Sequence, residues 1–148
     1  MNATAVAITM MWSKTEVSLS MTKEYINRLG QEKREKIFHA VNTELIIREA
    51  YLRSGYSAGE LCEKHGFAPR DVSAVMGLYY GENFTSLLRR LRVNRVCKML
   101  ESPANLHKSC EMIGLRCGFS NRQSFYNAFC KLKGMTPQEY RNKIFEQQ

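Results

Sequence analysis

Two Gly-Phe pairs, Gly66-Phe67 and Gly118-Phe119, each stand between a short apolar-faced segment and a segment that opens like a capped helix. That arrangement restricts the fold sharply. Glycine allows the left-handed exit that ends a helix, and the next aromatic anchors the turn in a core. The stretches "ELCEKHGFAPRDVSAVM" and "EMIGLRCGFSNRQSFYNAF" share this plan. Leu61 matches Ile113 when the two Gly-Phe pairs are superposed. Beyond the turn, an offset of one further residue suits the apolar faces better, setting Val72 against Phe125 and Met76 against Phe129. The chain therefore reads as two copies of helix, Gly-Phe turn and capped helix.

The remaining periodicity is helical too, and no segment is rich in strand formers. Residues 22–36 predict a short amphipathic helix with Tyr25, Ile26 and Leu29 at helical spacing. Over 36–52, Ile37, Ala40, Val41, Leu45 and Ala50 fall near one stripe, which Ser54-Gly55 terminates. Ser57 with Glu60, Ser120 with Gln123 and Thr136 with Glu139 have capping-box spacing, while Pro69 and Pro137 suit first-turn positions. Residues 84–100 predict the longest helix, with Phe84, Leu87, Leu88, Leu91, Val96 and Leu100 down one side and arginines around them. A further short helix is expected over about 107–116. The expected organisation is a loosely ordered tail over 1–20 and preceding helices with a first unit over 21–83. A linker helix over 84–101 and a second unit with a closing helix over 102–148 complete it.

Charge narrows the function. A net +8 and a pI of about 9.4 favour an anionic partner, of which nucleic acid is the commonest. Cys62, Cys97, Cys110, Cys117 and Cys130 form no CxxC pair, are odd in number and sit beside apolar residues. They read as reduced, mostly buried thiols of a cytoplasmic protein. His39, His65 and His107 complete no metal motif with them, and no acidic pair or glycine-rich phosphate loop points to catalysis or a cofactor. No apolar run approaches the roughly 20 residues of a membrane helix.

A helix held rigidly by a partner across it, with one face free, fits the major groove of double-stranded DNA. In the second unit, Phe125 and Phe129 belong inward, leaving Arg122, Gln123 and Asn127 on another side with Ser124 and Tyr126 at its margins. Arginine pairs bidentately with guanine, and glutamine or asparagine with adenine. Lys131 and Lys133, one turn on, suit phosphates. The first unit would show Arg70, Ser73 and Ala74, with only Arg70 able to mark a base strongly. Two reading units on one duplex face lie roughly 34 Å apart, and a 17-residue helix spans roughly 25 Å. A solvated polar face on a basic protein, or a helical protein-interaction module, are the competing readings.

The stretch "GFSNRQSFYNAFCKLKGMTPQEYR" resembles the second helix-turn-helix of AraC/XylS-family transcription regulators, and "NFTSLLRRLRVNRVCKML" resembles their linker helix. The resemblance covers roughly 40–145. It implies an all-α, homeodomain-like double helix-turn-helix of about seven helices around a long central helix. It implies base-reading positions at Arg70, Ser73, Ala74, Arg122, Gln123, Ser124 and Asn127, and phosphate contacts at Lys131, Lys133 and Arg141. Implied partners are double-stranded DNA, RNA polymerase, and a sensory or dimerising domain within a longer protein of the membrane-linked or hybrid sensor kind. It favours the Val72–Phe125 and Met76–Phe129 pairing. Among the departures, Gly114 stands where alanine is common, at an expected cost of about 1 kcal/mol inside a helix.

Overall fold

A computed structural model describes residues 23–147; the expected tail over 1–20 lies outside them. A helical segment at 23–28 precedes seven α-helices. These are α1 (Gln31–Asn42), α2 (Ala58–His65), α3 (Pro69–Tyr80), α4 (Phe84–Leu100), α5 (Cys110–Arg116), α6 (Arg122–Lys133) and α7 (Pro137–Glu146). The described residues contain no strand. Helices α2–α3 and α5–α6 are tandem helix-turn-helix units, with α4 between them.

The long helix serves two cores with opposite faces. Near its start, Phe84, Leu87 and Leu88 pack with Ile37, Val41, Leu61, Val75 and Met76. Near its end, Val93, Val96 and Leu100 pack with Ile113, Phe119, Phe125 and Phe129. At about 100° per residue these two stripes lie roughly half a turn apart. The expected single stripe from Phe84 to Leu100 is thus corrected: the apolar face changes sides between Leu88 and Val93. The physical reason is that each half must bury its apolar residues against a different unit.

The two halves are joined at Arg92. Its Nε donates to the Tyr51 carbonyl at 2.7 Å and its Nη2 to the Arg53 carbonyl at 3.2 Å. The guanidinium also lies 6.0 Å from the Phe119 ring centre. Gly118 closes on the same carbonyl. Its φ is +99°, and a Cβ there would fall 2.2 Å from the Tyr51 oxygen. The second Gly-Phe turn is therefore glycine-dependent twice over, by conformation and by contact with the first half.

Local chemistry explains where the elements begin. Thr136 and Glu139 form a reciprocal capping box at α7, as the spacing requires. Ser57 caps α2 by accepting from the Glu60 N–H, but the Glu60 carboxylate pairs with Arg53 instead of closing a box. Asn121, not Ser120, caps α6, accepting from the Ser124 N–H at 2.8 Å. The short helix expected over 107–116 starts at Cys110, behind the Ser109 cap. The helix expected over 22–36 breaks at Gly30, with φ +75°. That expected over 36–52 leaves α geometry after Asn42, passing through a π turn at Thr43–Ile47.

The repeat also acquires its register. Ser57 and Ser109 are equivalent caps, whereas α3 and α6, each of 12 residues, begin at Pro69 and Arg122. The second unit carries one more residue between its cap and its reading helix. Val72 then superposes on Phe125 and Met76 on Phe129, and all four are buried. The room for Phe125 comes from Gly114, where an added Cβ would lie 2.5 Å from two ring carbons. The expected penalty of Gly114 relative to alanine is thus reversed, because overpacking outweighs helix propensity.

Candidate nucleic-acid interface

Helix α6 is fixed from behind by rings. Phe125 lies 5.3 Å from Phe119 and 5.9 Å from Phe129, and Phe129 lies 5.5 Å from Tyr140. The Tyr140 hydroxyl donates to Glu101 at 2.7 Å, joining α7 to the end of α4. Burial first, and the Glu101 carboxylate second, push that phenol well above its ordinary value.

The opposite side of α6 is open. Arg122, Gln123 and Asn127 are exposed. Gln123 Nε2 donates to Asn127 Oδ1 at 3.0 Å, so the two amides are aligned one helical turn apart. The Arg122 guanidinium lies 4.6 Å over the Tyr126 ring and 3.6 Å from Glu111. Both contacts are at the surface, where they orient the side chain at little cost to its freedom. Tyr126 thus supports Arg122, a role its aromatic ring one turn from an arginine signals in the sequence.

Ser124 differs from its expected neighbours. It is half-buried, and its Oγ donates to the Asn121 carbonyl at 3.0 Å. Lys131 is exposed and Lys133 half-buried beyond this face. Arg141 is buried and donates from Nη1 to the Lys108 carbonyl at 2.9 Å. This placement replaces its expected phosphate contact with a structural bond between α7 and the loop before α5.

The first unit presents α3. Ser73 is exposed and Ala74 half-buried. Arg70 is exposed, yet its guanidinium lies 4.1 Å over the Tyr25 ring, in the segment preceding α1. The adjoining Asp71 is buried; it accepts from the Tyr25 hydroxyl at 2.5 Å and pairs with Lys33 at 2.6 Å. Burial would raise the Asp71 carboxyl, but Lys33 and Tyr25 outweigh it and hold the group below the usual carboxylate range. Asp71 therefore faces inward with a lysine and a tyrosine, rather than repelling phosphate. Sequence spacing carried no signal for Tyr25, which lies 46 residues from its partner.

A helix-turn-helix domain family matches residues 61–143, more than half of the chain. The chain belongs to that family. The proteins it resembles are transcriptional regulators, one of them described as AraC-type. It is 29% identical over 114 residues to the HTH-type transcriptional activator RhaR of Mannheimia succiniciproducens, covering 77% of this chain and 38% of that one. It is 30% identical over 117 residues to the HTH-type transcriptional regulator ArgR of Pseudomonas aeruginosa, covering 79% and 33%. The chain thus spans under two fifths of the length of these relatives. A structure of an AraC-type transcriptional regulator from Chromobacterium violaceum superposes with a TM-score of 0.60 at 25% identity, covering 78% of this chain and 96% of the other. The C-terminal domain of the response regulator AraT from Geobacillus stearothermophilus shares the fold, with a TM-score of 0.59, covering 72% and 84%.

For an AraC-type domain, the inventory is consistent. The relatives named above are transcriptional regulators, not enzymes. Cys62, Cys97, Cys110 and Cys117 are buried free thiols; Cys117, in the driest place, is pushed up to about 11 by burial. Among the described residues, no helix is long and apolar enough to cross a membrane.

Proposed function

We propose that this domain binds double-stranded DNA sequence-specifically, laying α3 and α6 in adjacent major-groove segments and thereby regulating transcription in the cytoplasm. One observation supports this most: the aligned Gln123–Asn127 pair beside Arg122, on the open face of a helix clamped from behind by rings. These side chains carry the donors and acceptors that read adenine and guanine edges. In the first unit Arg70, Ser73 and Ala74 take the same side of α3. Lys131 and Lys133 meet phosphates. Residues 84–101 act as the linker between units at 21–83 and 102–148, in a homeodomain-like arrangement. The greater length of the related regulators supports a sensory or dimerising partner domain, and the activator role in one relative's name supports contact with RNA polymerase.

Selection of bound sequences from random duplexes, repeated with Arg122→Ala and Gln123→Ala, tests the reading. Each variant loses discrimination at particular base pairs, by about 1–3 kcal/mol. Uniform weakening on all sequences would reassign these residues to phosphates, and salt-independent binding would favour a protein-interaction module.

A further inference from the structure

A cleft of about 370 Å³ opens on α4 between the two units, and both units wall it. Ser57 comes from the start of α2, Thr85, Arg89 and Arg92 from α4, and Ser120 from the second turn. A neighbouring cleft of about 330 Å³ shares Thr85 and Arg89 and extends to Ser73 on α3. The first cleft extends to Ser124 on α6. Arg89 thus stands in the wall common to two clefts, one reaching each reading helix.

The charge in this place is unbalanced. Neither lining contains a carboxylate. The other arginines within α4's solvated arc have partners: Arg90 pairs with Glu82, Arg95 with Glu49, and Arg92 with two backbone carbonyls. Among the described residues Arg89 makes no ion pair and no side-chain hydrogen bond, and it is exposed. Its charge is felt by Arg92, whose guanidinium is pulled down first by burial and then by Arg89. On the opposite side of α4, a cleft of about 440 Å³ mixes Arg95, Lys98 and Lys133 with Glu49 and Glu101. Of these two described sides of α4, the one shared by the reading helices carries positive charge without a carboxylate counter-ion, which is the electrostatic form of an anion seat.

We infer that Arg89, with the hydroxyls of Ser57, Thr85 and Ser120, seats a phosphodiester of the DNA backbone where the duplex passes between the two units. The inference rests on the double major-groove reading proposed above. Two adjacent major-groove segments on one duplex face are separated by a minor groove and its flanking backbones, which must then face α4. The seat neutralises one phosphate and fixes the spacing of the two reading helices without reading a base.

The test uses the full chain on a selected duplex, with binding titrated over a series of salt concentrations. Arg89→Ala is expected to reduce the log–log salt slope by about one, to weaken all sequences alike, and to leave base preferences unchanged. Arg89→Lys is expected to restore most of the slope, since the charge returns. Neutral methylphosphonates are then placed singly between the half-sites. One position should weaken the wild type several-fold and leave Arg89→Ala unaffected. An unchanged slope in Arg89→Ala, a changed base preference, or the absence of any such position would overturn the seat. If the wild type selects no sequence at all, the functional reading falls as well; if it selects normally while Arg89→Ala is indistinguishable from it, only the seat falls.

Discussion

The two reading helices are held in place by different physics. Behind α6 runs a chain of rings, Phe119, Phe125, Phe129 and Tyr140, with Gly114 hollowed out to admit one of them. Behind α3 the inward side chains are Val72, Val75 and Met76, and the surrounding half is stitched by two buried carboxylates. Asp71 is held by Lys33 and Tyr25; Glu44 is held by Lys64 at 2.7 Å, Arg48 at 3.1 Å and His65 at 3.2 Å. The outward faces differ in the same direction. In the common register Gln123 and Asn127 stand where Arg70 and Ala74 do, and Arg70 already lies on Tyr25. One unit is thus packed rigidly and is rich in groups that read bases. The other is held by ion pairs and is poorer in such groups.

The largest effect should come from the ring-packed side. Phe125→Ala is expected to cost about 3–5 kcal/mol in chemical denaturation, the range for deleting a buried phenyl group. Gly114→Ala and Gly118→Ala break the same packing from the other direction, at about 1–3 kcal/mol each by overpacking. Gly118→Ala should be the worse of the two, because its left-handed φ adds strain. Gly77→Ala on α3, where nothing lies within 4 Å of an added Cβ, should be neutral or slightly stabilising.

Acid should act on the other side. Burial would raise the Glu44 carboxyl, but Lys64, His65 and Arg48 more than reverse it, and Asp71 is likewise held low. Both groups therefore contribute stability above the unfolded carboxylate value near 4, and that contribution is lost as pH falls through their lower folded values. Amide exchange followed by NMR should show α1–α3 opening before α5–α6 as pH drops below about 4. Simultaneous opening would erase the contrast. The smallest effect on binding concerns Tyr25→Leu. Loss of its hydroxyl removes the bond to buried Asp71, costing about 1.5–3 kcal/mol of stability, and loss of the ring under Arg70 removes about 0.5–1 kcal/mol of cation–π interaction. It should change Arg70's contribution to binding while leaving the discrimination by α6 intact.

Much of this was legible in the residues. The capped α7, the bounds of α4, the inward Phe119, Phe125 and Phe129 and the exposed Arg122, Gln123 and Asn127 all follow from local rules of period and capping. What was not legible depends on contacts distant in sequence. The change of face along α4 requires knowing that two cores exist. The benefit of Gly114 depends on a ring 11 residues away, and Tyr25's grip on Arg70 and Asp71 spans the whole first half. Arg141 illustrates the same limit, since its charge suggests a surface role and its burial against the Lys108 carbonyl is a tertiary fact. Asn121 against Ser120 is a nearer miss, because both residue types cap helices and only the extra residue in the second turn decides between them.

The claim that the units divide their labour meets its most direct test on half-sites. A selected duplex is prepared with either the segment read by α3 or the segment read by α6 scrambled, and binding is measured at fixed salt. Scrambling the α6 segment should abolish most of the preference over random DNA, whereas scrambling the α3 segment should leave most of it in place. Equal losses at the two segments would contradict the account.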